Sequence, residues 1–151
     1  MSFTEDPNTL PAKSLHQPYA SLVAAGLKTL ETRKTRIHYR GPLVICSTLR
    51  DHESAHEVRC MLSRDQYMLL ERLRLYPWGG IHPDLYGFAL CVVDVVGCRQ
   101  LLPEDEPWSW FYAEGRFAWE LANVRRVRPL PVRGSQGFFR VPKAALEYLD
   151  V

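Results

Sequence analysis

No run of apolar residues in this chain approaches the roughly 18–20 needed to cross a bilayer as a helix, so no membrane partner is expected. The N-terminal stretch MSFTEDPNTLPAK lacks a basic region followed by a hydrophobic one, so it does not read as a secretory signal and a cytoplasmic location is expected. Cysteine is sparse. The four, Cys46, Cys60, Cys91 and Cys98, form no CxxC arrangement. Cys46 and Cys91 lie inside apolar, strand-like runs where a thiol packs as a small hydrophobe, so no disulfide framework is expected. Charge of one sign is also in short supply. The net charge is +2, so a nucleic-acid role must come from local patches and not from the field of the whole molecule. The sequence has no internal repeat and no low-complexity segment.

What remains is ordinary globular material. With 151 residues, 46% of them hydrophobic and 24% charged, the chain has room for one domain and one core, and it is not disordered by composition. Residues 1–12 read as a polar tail, with Pro7 and Pro11 opposing regular structure, which leaves 13–151 as the domain. Gln17-Pro18 opens a helix of two to three turns, in which Tyr19, Leu22, Val23 and Leu27 recur at helical spacing and Gly26 sits near the C-terminal cap. From Thr29 to Thr35 the period changes to two, so Glu31 and Arg33 share one strand face and Leu30 and Thr32 the other. Leu43–Cys46 is a buried strand, 53–75 a helical region broken near Ser63-Arg64, and 86–97 the longest strand. Pro103–Pro107 is an acidic connection beside an aromatic cluster, Trp108–Tyr112. Two strands are expected over 117–124 and 125–130, another over 138–141, and a closing helix over 144–149. Several short strands with an early and a late helix predict an α+β domain whose strands curl into a small barrel, which removes exposed edges.

The stretch Gly26-Leu27-Lys28-Thr29-Leu30-Glu31-Thr32-Arg33 reads GxKxxExR, and this resembles the signature of the ASCH domain (activating signal cointegrator homology). Two further blocks agree in order: SLHQPYASLVAAGLKTLETR with GPLVICST, and GRFAWELANVRRVRPLPVRGSQGFFRVP, so the likeness spans about residues 14–142. The resemblance implies a PUA-like barrel with flanking helices and a cleft formed by the signature residues. It also implies binding of RNA or a nucleotide-like molecule without a cofactor, some relatives being hydrolases of RNA or of an acylated nucleoside. Fold alone does not settle function.

Read as chemistry, Lys28, Glu31 and Arg33 bring an ammonium, a carboxylate and a guanidinium into one small volume. The two cations can hold a phosphate or a base carbonyl, and Glu31 can accept from an exocyclic amine or orient Lys28. If water is excluded, Lys28 and Glu31 become candidates for proton transfer, as in a ribonuclease. In the amidohydrolase relatives a threonine stands where this chain has Glu31, which removes the hydroxyl nucleophile here. The resemblance also turns Gln136, in the Gly134–Gly137 turn, toward the cleft, and Gln17 at the helix start has the same reading; either amide can instead tie down its own loop.

Basic residues gather in two runs that can track phosphates if the barrel joins them, the candidates being Lys34, Arg36, Arg40, Arg126 and Arg133. Tyr39, Trp108 and Trp110 are then candidate stacking platforms, while Trp119 reads as core. His52-Glu53-Ser54-Ala55-His56 is a literal HExxH string, but Arg50 and Glu57 flank it and no third ligand stands at a recognised spacing, so His52 and His56 are weak metal candidates and a solvated helix face is expected. The competing functional classes are therefore a hydrolase using the same cleft and a protein-interaction module docking through Trp108–Tyr112.

Overall fold

The computed structural model describes residues 6–49, 63–75 and 85–149. Six strands and three α-helices are defined there: β1 (Thr9–Leu15), α1 (Tyr19–Ala24), β2 (Leu30–Arg33), β3 (Gly41–Ser47), α2 (Arg64–Leu75), β4 (Phe88–Gln100), α3 (Glu106–Ser109), β5 (Phe117–Pro131) and β6 (Phe138–Pro142). All belong to one sheet or flank it, in the strand order β2-β5-β4-β3-β1-β6. Only β1 and β3 run parallel; every other neighbour is antiparallel. The expected α+β class is what the chain adopts, a curled half-barrel sheet with short helices. No helix among the described residues is long and apolar enough to cross a membrane.

β3 shows why the sheet buries both faces. Leu43 and Ile45 point into the cluster that holds Leu15, Val23, Val93, Val95 and Trp119. Val44 and Cys46 point the other way, against Ala12, Val92, Val127 and Val141. Alternation with apolar residues on both sides produces the unbroken hydrophobic run seen in the sequence. Burial pushes the Cys46 thiol up to about 12, as expected of a packing residue.

Four boundaries differ from the sequence reading. The polar tail is shorter than expected, because Thr9–Leu15 is a strand between β3 and β6. Pro11 is tolerated where β1 pairs with β6 but has not yet met β3, whose pairing starts at Ala12. The two strands expected over 117–130 are one, β5, paired with β4 from Gln100↔Phe117 to Phe88↔Pro131. Three register irregularities and Asn123 at φ 54 absorb its polar interruption and bend it, as bulges do. Helix α1 has six residues, less than the two to three turns expected. The closing helix is absent: a single 3-10 turn at Lys143–Ala145 follows Pro142, and Tyr148 then bridges to Val127.

Among the described residues the barrel is not sealed by a hydrogen-bonded ladder, since β2 and β6 remain the two ends of the sheet. Side chains close the seam. Trp119, beside β2, stacks on Phe138 of β6 with ring centroids 5.9 Å apart. Its indole N–H donates to the Thr35 carbonyl at 3.1 Å.

Candidate functional site

The site begins where α1 stops. Gly26 has φ +78, and the amides of Gly26 and Leu27 donate to the carbonyls of Val23 and Leu22 at 3.0 Å each. This is a Schellman closure, which needs a left-handed residue and explains the glycine. The turn drives Lys28 inward until its side chain is 1% exposed. Its Nζ donates to the carbonyls of Leu30 (2.7 Å) and Ser109, lies 3.6 Å from Glu31 Oε1, and sits 5.0 Å from the centre of the Tyr19 ring. Burial draws the Lys28 pKa down to about 8, with the Glu31 carboxylate opposing the shift and the charges of Arg33 and Arg116 adding to it.

Glu31 is equally engaged. Its Oε1 accepts the Thr32 amide at 3.0 Å, and its Oε2 accepts Arg33 Nε at 3.2 Å and Nη2 at 3.0 Å. The period-two alternation of β2 therefore does what the sequence implied, setting Glu31 and Arg33 on one face. Arg116, just before β5, joins them. Its Nη2 donates to the Thr32 carbonyl at 3.2 Å, its guanidinium lies 5.1 Å from the centre of the Phe111 ring, and its Nε is buried without a partner among the described residues. These groups, with Leu15, His16, Tyr19 and Thr32, line a hollow of about 170 Å³. It has room for one base-sized ring.

The acidic connection after β4 anchors the segment that brings Phe111 to the hollow. Asp105 accepts both Arg99 Nη1 (2.7 Å) and Nη2 (3.0 Å) and the Leu102 amide at 2.8 Å; the Arg99 hydrogen bond is the main influence holding its carboxyl below the usual range. The Trp108 carbonyl accepts the Thr29 amide at 3.0 Å, and Trp110 Nε1 donates to the Leu27 carbonyl at 3.0 Å. This seating brings the Ser109 carbonyl onto Lys28 and Phe111 to the hollow. Trp110 is thus buried, a correction to its reading as a stacking platform, and the aromatic segment divides, with Trp108 exposed and Phe111 inward.

Two basic grooves adjoin the hollow, and all three spaces share Arg33. One groove, about 450 Å³, is lined by Lys13, Arg33, Lys34, Arg36 and Arg116 beside Trp119 and Phe138. The other, also about 450 Å³, carries Lys13, His16, Arg33, Arg133 and Gln136. Lys34, Arg36, Arg133 and Gln136 therefore border the site, but Gln17 does not. Its fully buried Nε2 donates to Ser21 Oγ and the Leu85 carbonyl, 2.8 Å each, and its Oε1 accepts the Ser21 amide at 3.0 Å. Arg40 turns to the carbonyls of Ile37 and Tyr39, and Arg126 lines a separate recess with Gly26 and Tyr148. The second arginine run thus does not join the first as a body: Arg125 pairs with Asp94, Arg128 with Glu147, and Arg140 bonds Thr9. Tyr39 is half-buried, its hydroxyl donating to the Pro42 carbonyl at 2.7 Å. His52 and His56 lie outside the described residues, among which no cluster of metal-ligating side chains occurs. Arg116, Lys13, Tyr19 and Phe111 were not singled out as site residues from sequence. Arg116 carried one signal, a charge leading directly into the apolar-alternating FAWEL strand.

No curated protein matches the chain significantly. Among solved structures, a point mutant of the ASCH protein of Zymomonas mobilis matches with a TM-score of 0.52 and 12% identity, covering 88% of this chain and 90% of that one. The ASCH structure from the same organism without that mutation gives 0.49 and 13%, covering 90% of each chain. The first likeness establishes a shared fold. A family model of the ASCH domain matches residues 14–131, most of the sequence, and the chain belongs to the ASCH domain family.

Proposed function

We propose that this domain binds single-stranded RNA or a nucleotide-like molecule, with one base in the hollow and phosphates along the basic grooves. The observation that carries the reading is the sharing of Arg33 between a base-sized hollow and two grooves lined by cations. Lys28 and Glu31 bond each other and the backbone, so they position Arg33 and shape the hollow. Arg33 and Arg116 are left to meet the ligand. A guanidinium laid on an aromatic ring offers a flat face for stacking and an edge of donors for a phosphate or a base carbonyl.

Replacement of Arg33 or Arg116 by alanine should weaken binding of a labelled single-stranded RNA about tenfold or more, since each removes a charge-assisted contact. Affinities unchanged in both variants across a salt titration would refute the reading.

One observation favours a second reading, hydrolysis of RNA or of an acylated nucleoside: the Lys28 amine, drawn down to about 8, stands beside a carboxylate. It must first give up a carbonyl partner. Incubation with labelled RNA and with acetylated cytidine separates the readings, because only an enzyme yields turnover that disappears in Lys28→Ala.

A further inference from the structure

The groove beside the hollow, at the seam between β2 and β6, concentrates more positive charge than a single nucleic-acid strand requires. Lys13, Arg33, Lys34, Arg36 and Arg116 surround about 450 Å³, and no acidic residue among the described residues lines it. Elsewhere among the described residues, Arg99 is matched by Asp105, Arg125 by Asp94 and Arg128 by Glu147, while Arg40 and Arg140 bond carbonyl and hydroxyl oxygens. Here, among the described residues, only Arg33 has one, and Glu31 holds it from the side of the hollow.

Three of the other four rest on rings. Arg36 lies 4.5 Å from the centre of Phe117, Arg116 5.1 Å from Phe111, and Lys13 5.2 Å from Phe138. A π face fixes a cation's position and leaves its N–H groups for another acceptor, whereas a carboxylate consumes them. Burial is the main cause drawing the Lys13 pKa down, with the Arg33 charge adding to it and the Glu31 charge opposing it.

We infer that this groove is a receptor for a run of adjacent phosphates, either the polyphosphate of a free nucleotide or the triphosphorylated 5′ end of an RNA. A strand backbone offers one charge per nucleotide, spread along its length. A triphosphate packs several charges into the length of one nucleotide, which matches a recess ringed by cations more closely than a strand backbone does. The groove also shares Arg33 and Arg116 with the hollow, so a base there and its phosphates here belong to one molecule. The inference rests on the proposed reading in assigning anions to this face, and departs from it in their density.

The test is calorimetric titration of the full chain, in chelator, with inorganic tripolyphosphate and with orthophosphate. Tripolyphosphate should bind at least about tenfold more tightly, and the preference should vanish in a Lys34→Glu, Arg36→Glu double variant. Both positions are exposed, so circular dichroism should be unchanged; Lys34→Ala with Arg36→Ala replaces that variant if charge reversal perturbs folding. Equal affinity for the two anions, or tripolyphosphate binding unaffected by the substitutions, overturns the inference. Competition by a nucleoside triphosphate, set against 5′-triphosphorylated and 5′-hydroxyl RNA of one sequence, identifies the source. If the two RNAs bind equally and tripolyphosphate displaces neither, the inference fails while RNA binding stands. If tripolyphosphate binds and neither RNA does, the inference holds and the RNA reading fails.

Discussion

A lysine with 1% exposure, two carbonyl acceptors and a carboxylate 3.6 Å away is held as an internal strut. Lys28→Met removes the desolvated charge but also orphans two buried carbonyls and leaves Glu31 with Arg33 and the Thr32 amide. Breaking one side of a buried pair is the dominant effect, so the variant should lose about 3 kcal/mol of stability at neutral pH. The sign of the pH dependence follows from the lowered pKa. In the unfolded chain the amine titrates near 10.5 and in the folded chain near 8, so between those values the unfolded state binds more protons. Stability contributed through this group therefore rises as pH climbs from 8 to 10.5. The gap between wild type and Lys28→Met, measured by urea unfolding, should widen from pH 7 to pH 9. A constant gap would mean that Lys28 titrates as it does in water.

Among the elements, the turn that ends α1 sets the whole site, because it aims Lys28. A methyl group added at Gly26 would meet open space, so a substitution there is limited by the φ of +78 and not by a clash. Gly26→Ala should cost about 1 kcal/mol, and Gly26→Asn less, since asparagine tolerates the left-handed region; thermal denaturation measures both. This turn was legible in the sequence, as were the alternation of Glu31 and Arg33, the buried run of β3 and the core position of Trp119. Those are local signals, with periods of two or 3.6 and a glycine at a helix end. What escaped was long-range or masked by composition. The Lys28–Ser109 contact joins residues 81 apart, and nothing near Pro103–Phe111 announces that it walls a cleft. Pro11 disguised β1, and Asn123 and the bulges disguised β5 as two strands. Of the two readings the sequence left for Gln17, ligand group or local tie, its bonds are those of a tie between the start of α1 and Leu85.

On the scale of the whole molecule, a net charge of +2 conceals a segregated distribution. The arginines paired with Asp94, Asp105 and Glu147 are largely neutralised, while the cations lining the two grooves, Arg33 apart, lack carboxylate partners among the described residues. Binding of single-stranded RNA should therefore weaken steeply with salt despite the small net charge, log K falling by about 0.7 per decade of salt for each phosphate neutralised. Arg133→Ala should flatten that slope by about one such increment, because in the proposed reading a residue of this groove contacts phosphate and not a base. Arg128→Ala removes an equal formal charge, but one paired with Glu147 at 3.0 Å and outside both grooves, so its slope and affinity should match the wild type. Filter binding at four or five salt concentrations measures both. Equal flattening by the two variants would show that RNA responds to overall charge and not to this face.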